Sequence, residues 1–167
     1  AGFPEGEGLP SIKLSIRIGT EEDGRAAVFI QDALSQIGMN VEIEKLAFAT
    51  FQELEQKREL QFFIDEWISW VNDPFYHLSW IYSADSPLVY TNYDNEEVTE
   101  LIRQYTLWDG DEEERNEASR RIQELIVDDV PIVYLLAPNF NVAMRSNVTG
   151  YVYYNDELNR YYYMDKE

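Results

Sequence analysis

Ile12, Leu14, Ile16 and Ile18 alternate with Lys13, Ser15 and Arg17. Apolar residues at a period of two predict a strand with one buried face. Thr20 stands where a helix cap belongs, and Glu21, Glu22 and Asp23 follow at what would be the positive end of the helix. Ala26, Ile30, Ala33, Leu34 and Ile37 then fall on one helical stripe, and Gly38 occupies the left-handed position that ends it. Val41, Ile43 and Lys45 alternate with Glu42 and Glu44, so a second strand follows at once. A strand, a helix and a strand at this spacing form a β–α–β unit. Its strands are parallel and its crossover is right-handed. This unit constrains the fold more than any other feature, because a parallel pair requires layers of helix around the sheet.

The remaining segments extend that pattern. Thr50 to Glu59 reads as a short polar helix with Phe51 and Leu54 inward, and Leu60 to Trp67 as a third strand rich in β-formers. Residues 69–94 read as irregular and heavily aromatic, with Asn72-Asp73-Pro74 and Ser86-Pro87 as breakers. Asn95 caps a helix carrying Val98, Leu101, Ile102 and Tyr105, which Asp109-Gly110 ends. Asp111 to Asp128 is a further helix with Ala118, Ile122, Leu125 and Ile126 inward. Strands are expected at Ile132–Leu136, after Pro131, and at Asn141–Arg145. Residues 1–10, with three Gly and two Pro, read as a linker. The order β-α-β-α-β-loop-α-α-β-β predicts an α/β fold with helices covering a mixed sheet.

Composition excludes several functions. Asp and Glu number 32 against 13 Lys and Arg, a formal net charge of −19. That balance rules out a nucleic-acid-binding face and argues against docking on anionic membranes. The chain has no Cys, hence no disulfide framework, thiolate metal site or Cys nucleophile. No apolar run is long enough to span a bilayer. His77 is the single His and has no partners nearby at metal-ligand spacing. No Gly-x-Ser-x-Gly elbow or phosphate loop is present. The acidic run Asp109 to Glu114 lacks the alternating oxygen ligands of a calcium loop, and a helix dipole explains it.

The aromatic stretch carries more information. Trp67, Trp70, Phe75, Tyr76, Trp80, Tyr82, Tyr90 and Tyr93 fall within 27 positions that start at the end of the third expected strand. Their flat faces suit sugar rings or apolar side chains, and α/β sheets bind ligands at strand ends. A minicore, or a face that packs on another domain, explains the same residues without a ligand.

Taken in order, the segments resemble the solute-binding proteins of ABC transporters, in the family 5 class that serves oligopeptides, dipeptides, nickel and some oligosaccharides. Ala1 to Pro10 resembles the Ala-Gly-Tyr-Pro linker of that family. Ala27 to Val41 resembles its helix and following strand. Trp67 to Pro74 resembles its Trp-x-x-Asp-Tyr-x-Asp-Pro segment, and Asn92 to Val98 its Tyr-Ser-Asn-Pro-Glu-Val-Asp helix start. Arg115 to Tyr134 resembles its Asp-x-Pro-x-Ile-Pro-Leu-Tyr run, and Gly150-Tyr151 its Gly-Tyr. The resemblance implies the C-terminal lobe of a type II periplasmic-binding-protein fold. Residues 1–10 would be a linker, 11–150 the lobe, and 151–167 a tail returning to a lobe that lies upstream with the secretion signal.

It further implies a receptor, not an enzyme, for uptake of peptide or oligosaccharide. That receptor would be periplasmic or a cell-surface lipoprotein and would work with an ABC permease, without cofactor, metal or nucleic acid. The implied contact residues are Trp67, Ser69, Trp70, Asn72, Asp73, Phe75 and Tyr76. Peptide-binding members carry an Asp where this chain has Trp70, and that Asp pairs with the peptide α-amine. A neutral ring cannot make that charge-assisted bond, so Trp70 implies stacking on a sugar or on a peptide held differently. The alternatives are a ligand-sensing domain of a regulator and a carbohydrate-active hydrolase.

Overall fold

The computed structural model describes residues 3–68, 70–137, 139, 141–154 and 160–167, and of Glu5 the backbone alone. The chain forms two compact units, residues 1–67 and 68–167.

The first unit contains strand β1 (Ile12–Arg17), helix α1 (Glu21–Ser35), strand β2 (Val41–Leu46), helix α2 (Phe48–Gln56) and the short strand β3 (Phe62–Phe63). Both pairings are parallel, in the order β2-β1-β3, with Ile12 opposite Val41 and Leu14 opposite Phe62. The expected β–α–β unit is therefore present, with both strands within a residue of their expected bounds. Leu14, Ile16, Val41 and Ile64 form a core with Ala27, and Ala26, Ile30 and Leu34 pack on it. The central strand is covered on its second face as well. Ser15 is buried, and Phe51 of α2 lies beneath Arg17, edge-on to Phe63 at 6.0 Å between ring centroids. The alternation in β1 thus marks two faces that are both covered.

Gly38 ends α1 with φ +81, and Gly6, φ +78, lies against it. A Cβ on Gly6 would sit 1.8 Å from the Gly38 carbonyl oxygen, so only glycine fits. The opening segment, read as a linker, is packed at this point against the first unit. Thr20 makes no cap bond to the helix backbone; its hydroxyl donates to Asp23 Oδ2 at 2.7 Å.

The second unit is built on helices α3 (Pro74–Ile81), α4 (Glu96–Tyr105) and α5 (Glu112–Asp129). Phe75, Leu78, Tyr82, Val98, Ile102, Tyr105, Ala118, Ile122 and Ile126 are its core. Asn95 and Asp111 cap α4 and α5 by accepting from Val98 N and Glu114 N, as their sequence positions predict. A two-stranded antiparallel ladder joins β4 (Val148–Thr149) to β5 (Asp165–Lys166).

Four segments differ from expectation. The third strand is two residues long rather than eight, because only Phe62 and Phe63 find ladder positions beside β1. The stretch read as irregular contains α3, which starts on the cap Asp73 and the first-turn Pro74. The segments Ile132–Leu136 and Asn141–Arg145 form no strand, and Val133, Tyr134, Leu135 and Leu136 are exposed. Their β-forming side chains have no neighbouring strand among the described residues to pair with. Finally, the strand pairs of a mixed sheet are divided here, with a parallel three-stranded sheet in one unit and the antiparallel ladder in the other.

Candidate functional site

The expected contact residues fall into three groups. Trp67, Trp70 and Asn72 are exposed, Trp70 to 61%. Tyr76, on the first turn of α3, is half-buried and meets Trp80 edge-on at 6.3 Å. Asp73 and Phe75 are engaged within their own unit. The Asp73 carboxylate accepts from Phe75 N at 2.8 Å and from Arg115 Nη2 at 2.9 and 3.0 Å. The Arg115 guanidinium also lies 4.5 Å over the Phe75 ring and donates through Nε to the Tyr105 carbonyl. Phe75 itself is 1% exposed. These two residues hold the start of α3, and Trp70, Asn72 and Tyr76 are the members of the segment with free surface. Ser69 lies outside the described residues. Burial holds His77 below its ordinary value, so the imidazole is neutral at pH 7.

A second constellation, which the sequence reading did not single out, lies at the carboxyl end of the parallel sheet. The connection from β1 to β2 runs to one side of β1 and that from β2 to β3 to the other. The crevice beyond the ends of β1 and β3 is therefore a topological switch point, where open α/β sheets bind ligands. Arg17 is the last residue of β1, and Asp65 and Glu66 follow β3. Arg17 Nη1 lies 3.3 Å from Asp65 Oδ1, and Nη2 lies 3.6 Å from Asp23 Oδ2 and 3.5 Å from Glu66 Oε1. Glu55, on the last turn of α2, faces Asp65 and Arg17. Burial, together with the Asp65 charge, pushes the Glu55 carboxyl up to about 7. Burial also raises Asp65, against the pull of its backbone hydrogen bond and of Arg17. The pair shares a hydrogen bond, which requires a proton on one of the two carboxyls.

Beside this cluster an open groove of about 510 Å³ runs over Arg17, Gly19, Thr20 and Gly24 to Lys45. Ser15 and Arg17 read as the polar face of a strand and Glu55 as part of a polar helix. The signal available in the sequence was an Arg at the last position of the central strand, on the same face as the small Ser15. Among the described residues, no group of three His, Asp or Glu side chains is arranged to hold a metal ion.

Residues 1–87, more than half of the chain, match the family described as bacterial extracellular solute-binding proteins, family 5. The chain belongs to that family. A curated relative, the probable D,D-dipeptide-binding periplasmic protein DdpA of Escherichia coli K12, is 30% identical over 130 residues, which are 76% of this chain and 25% of DdpA. Among solved structures, the oligopeptide-binding protein AppA of Bacillus subtilis, in complex with a nonapeptide, superposes with a TM-score of 0.80 at 22% identity. The match covers 94% of this chain and 32% of AppA. The periplasmic binding protein DppA of Helicobacter pylori, in complex with the peptide STSA, gives 0.73 at 21% identity over 94% of this chain and 31% of DppA. These neighbours establish the fold as that of the type II periplasmic binding proteins. The family 5 chain spans about a quarter of the length of the curated relative and about a third of these structures. The matched relatives are binding proteins rather than enzymes, and the family works outside the cytoplasm.

Proposed function

We propose that this chain is one lobe of a peptide receptor that delivers its ligand to an ABC permease. The observation that carries the reading is family 5 membership through residues 1–87, together with relatives whose names state dipeptide or oligopeptide binding. The hydrolase, regulator and oligosaccharide alternatives find no support in those relatives. Trp67, Trp70, Asn72 and Tyr76 are the proposed contact residues, with the aromatic rings packing on peptide side chains and Asn72 bonding the peptide backbone. Asp73 and Phe75 support them by fixing the start of α3. The exposed apolar run Val133 to Leu136, and relatives about three times as long as this chain, support a second lobe that covers this surface. The same reading puts the protein in the periplasm or on the cell surface as a lipoprotein.

Calorimetry on the full-length protein with oligopeptides and, in parallel, oligosaccharides tests the proposal. Peptides are expected to bind. Trp70→Ala is expected to weaken binding about tenfold, or ~1.4 kcal/mol, while leaving stability within ~0.5 kcal/mol, as befits an exposed residue. Unchanged peptide affinity in Trp70→Ala refutes the placement of the site, and oligosaccharide binding without peptide binding refutes the reading.

A further inference from the structure

Of the asparagines in the chain, only Asn147 is followed two residues later by Ser or Thr, and the residue between, Val148, is not proline. Asn-x-Ser/Thr, with x other than proline, is the acceptor signal for N-linked sugar on secreted proteins. So short a signal recurs by chance, and it counts only where the fold presents it to an enzyme and tolerates the product.

The triplet opens β4. Arg145 to Val148 form a turn in which Val148 N donates to the Arg145 carbonyl at 3.0 Å. Val148 and Thr149 then pair with Lys166 and Asp165. Ser146 and Thr149 are exposed, and Asn147 and Val148 are half-buried. Asn147 meets Glu167: its carbonyl accepts from Glu167 N at 3.0 Å, and its Nδ2 donates to the Glu167 carbonyl at 2.9 Å.

Three features suit this side chain to carry a sugar. An Asn amide has two N–H donors, and the bond to Glu167 uses one. A sugar on Nδ2 replaces one hydrogen and leaves the other, so the bond to Glu167 is compatible with the product. Next, β4 and β5 are held by two residue pairs, so the triplet opens to an enzyme without disturbing the core on α3, α4 and α5. Last, there is aromatic surface for the sugar to cover. Gly150, which follows the triplet, lies against the carbonyl of Tyr163. The Tyr162 and Tyr163 rings stand 4.2 Å apart, and the two residues are 74% and 57% exposed.

We infer that Asn147 is an N-glycosylation site, with a lipid-linked oligosaccharide as the sugar donor. The inference rests on the extracytoplasmic placement proposed above, since the transfer takes place on the outer side of the membrane. The donor is an oligosaccharide on a polyprenyl phosphate or diphosphate, presented by an oligosaccharyltransferase of the host. Asn147 Nδ2 attacks the anomeric carbon and forms the N-glycosidic bond. The bond from that carbon to the phosphate oxygen breaks, and the phosphate leaves with the electron pair. The proton lost from Nδ2 passes to a base of the transferase. The Thr149 hydroxyl is the group by which the transferase recognises the acceptor.

The mass of one peptide tests this. Trypsin, cutting after Arg145 and Arg160, releases residues 146–160 with the triplet whole. The full-length protein is purified from the cells that make it, digested, and analysed by mass spectrometry with electron-transfer fragmentation. The peptide is expected to be heavier than its sequence by a whole number of sugar residues, with the added mass on Asn147. Thr149→Ala, a change at an exposed residue, is expected to return the peptide to its bare mass, and Thr149→Ser to keep the sugar. Circular dichroism matching that of the parent shows that the loss is not unfolding; if Thr149→Ala does not fold, the attachment site in the parent decides alone. A bare peptide from the parent, a sugar on the Ser146 or Thr149 hydroxyl instead, or a sugar retained in folded Thr149→Ala each overturns the inference. None of these outcomes alters the peptide titrations on which the receptor reading depends.

Discussion

Replacing Glu55 with Gln tests the burial of this carboxyl directly. In the folded chain its pKa is raised from 4.5 to about 7, with burial as the main cause and the neighbouring Asp65 charge as the second. The folded state therefore holds a proton that the unfolded chain has given up. The stability tied to this group is fully present below pH 4.5 and is lost as pH rises through 7. At ~1.4 kcal/mol per pH unit the rise sets a ceiling of about 3 kcal/mol. Solvent reaching Asp65, whose side chain is 28% exposed, screens the pair and brings the expected loss to roughly 2 kcal/mol.

Gln copies the shape of the protonated carboxyl and cannot ionise. Urea unfolding followed by circular dichroism from pH 5 to pH 9, in constant salt, is the measurement. Parent and variant should agree within ~0.5 kcal/mol at pH 5. The variant should be more stable by about 2 kcal/mol at pH 9. The titrations of all other groups are common to both proteins and drop out of the difference, apart from that of the coupled Asp65. Parallel curves across the whole range, or a parent that gains on the variant above pH 7, would refute the reasoning.

Two other changes probe the second unit. Val130 closes α5 with φ 50 and ψ 50, a left-handed conformation that a β-branched residue adopts only under strain. Val130→Gly should raise stability by about 0.5–1 kcal/mol in urea unfolding, and a decrease would show that the exposed valine side chain matters more than its backbone. Arg115→Met removes both bonds to Asp73 and the one to the Tyr105 carbonyl while keeping an apolar stem over Phe75. A loss of about 1–3 kcal/mol is expected by the same assay, and a double-mutant cycle with Asp73→Asn should return most of it as coupling; additive losses would refute the pairing.

Local chemistry wrote much of this molecule. The alternation in β1, the stripe of α1, Gly38 at its end and the caps Asn95 and Asp111 each act within a few residues, so they are readable in sequence and recur in the fold. The start of α3 was readable too, since Asp73 and Pro74 form a cap followed by a first-turn proline; the surrounding aromatics obscured it. The exposure of Trp70 belongs to the same legible layer, because a breaker-rich stretch after a strand reads as a surface segment.

What sequence did not show depends on partners distant along the chain. Val133 to Leu136 have strand chemistry, yet a strand exists only when another strand accepts its hydrogen bonds, and among the described residues none does. Period two in β1 separates Leu14 and Ile16 from Ser15 and Arg17. It cannot say that α2 lays Phe51 over the second face and so takes Arg17 out of water. Glu55 looks like one more acid on a polar helix until tertiary packing sets it against Asp65 beneath that guanidinium. Sequence by itself determined the β–α–β frame and the family, since periodicity and capping are properties of neighbours. The charged crevice was decided by the tertiary structure alone, because burial is a property of whatever the fold brings alongside.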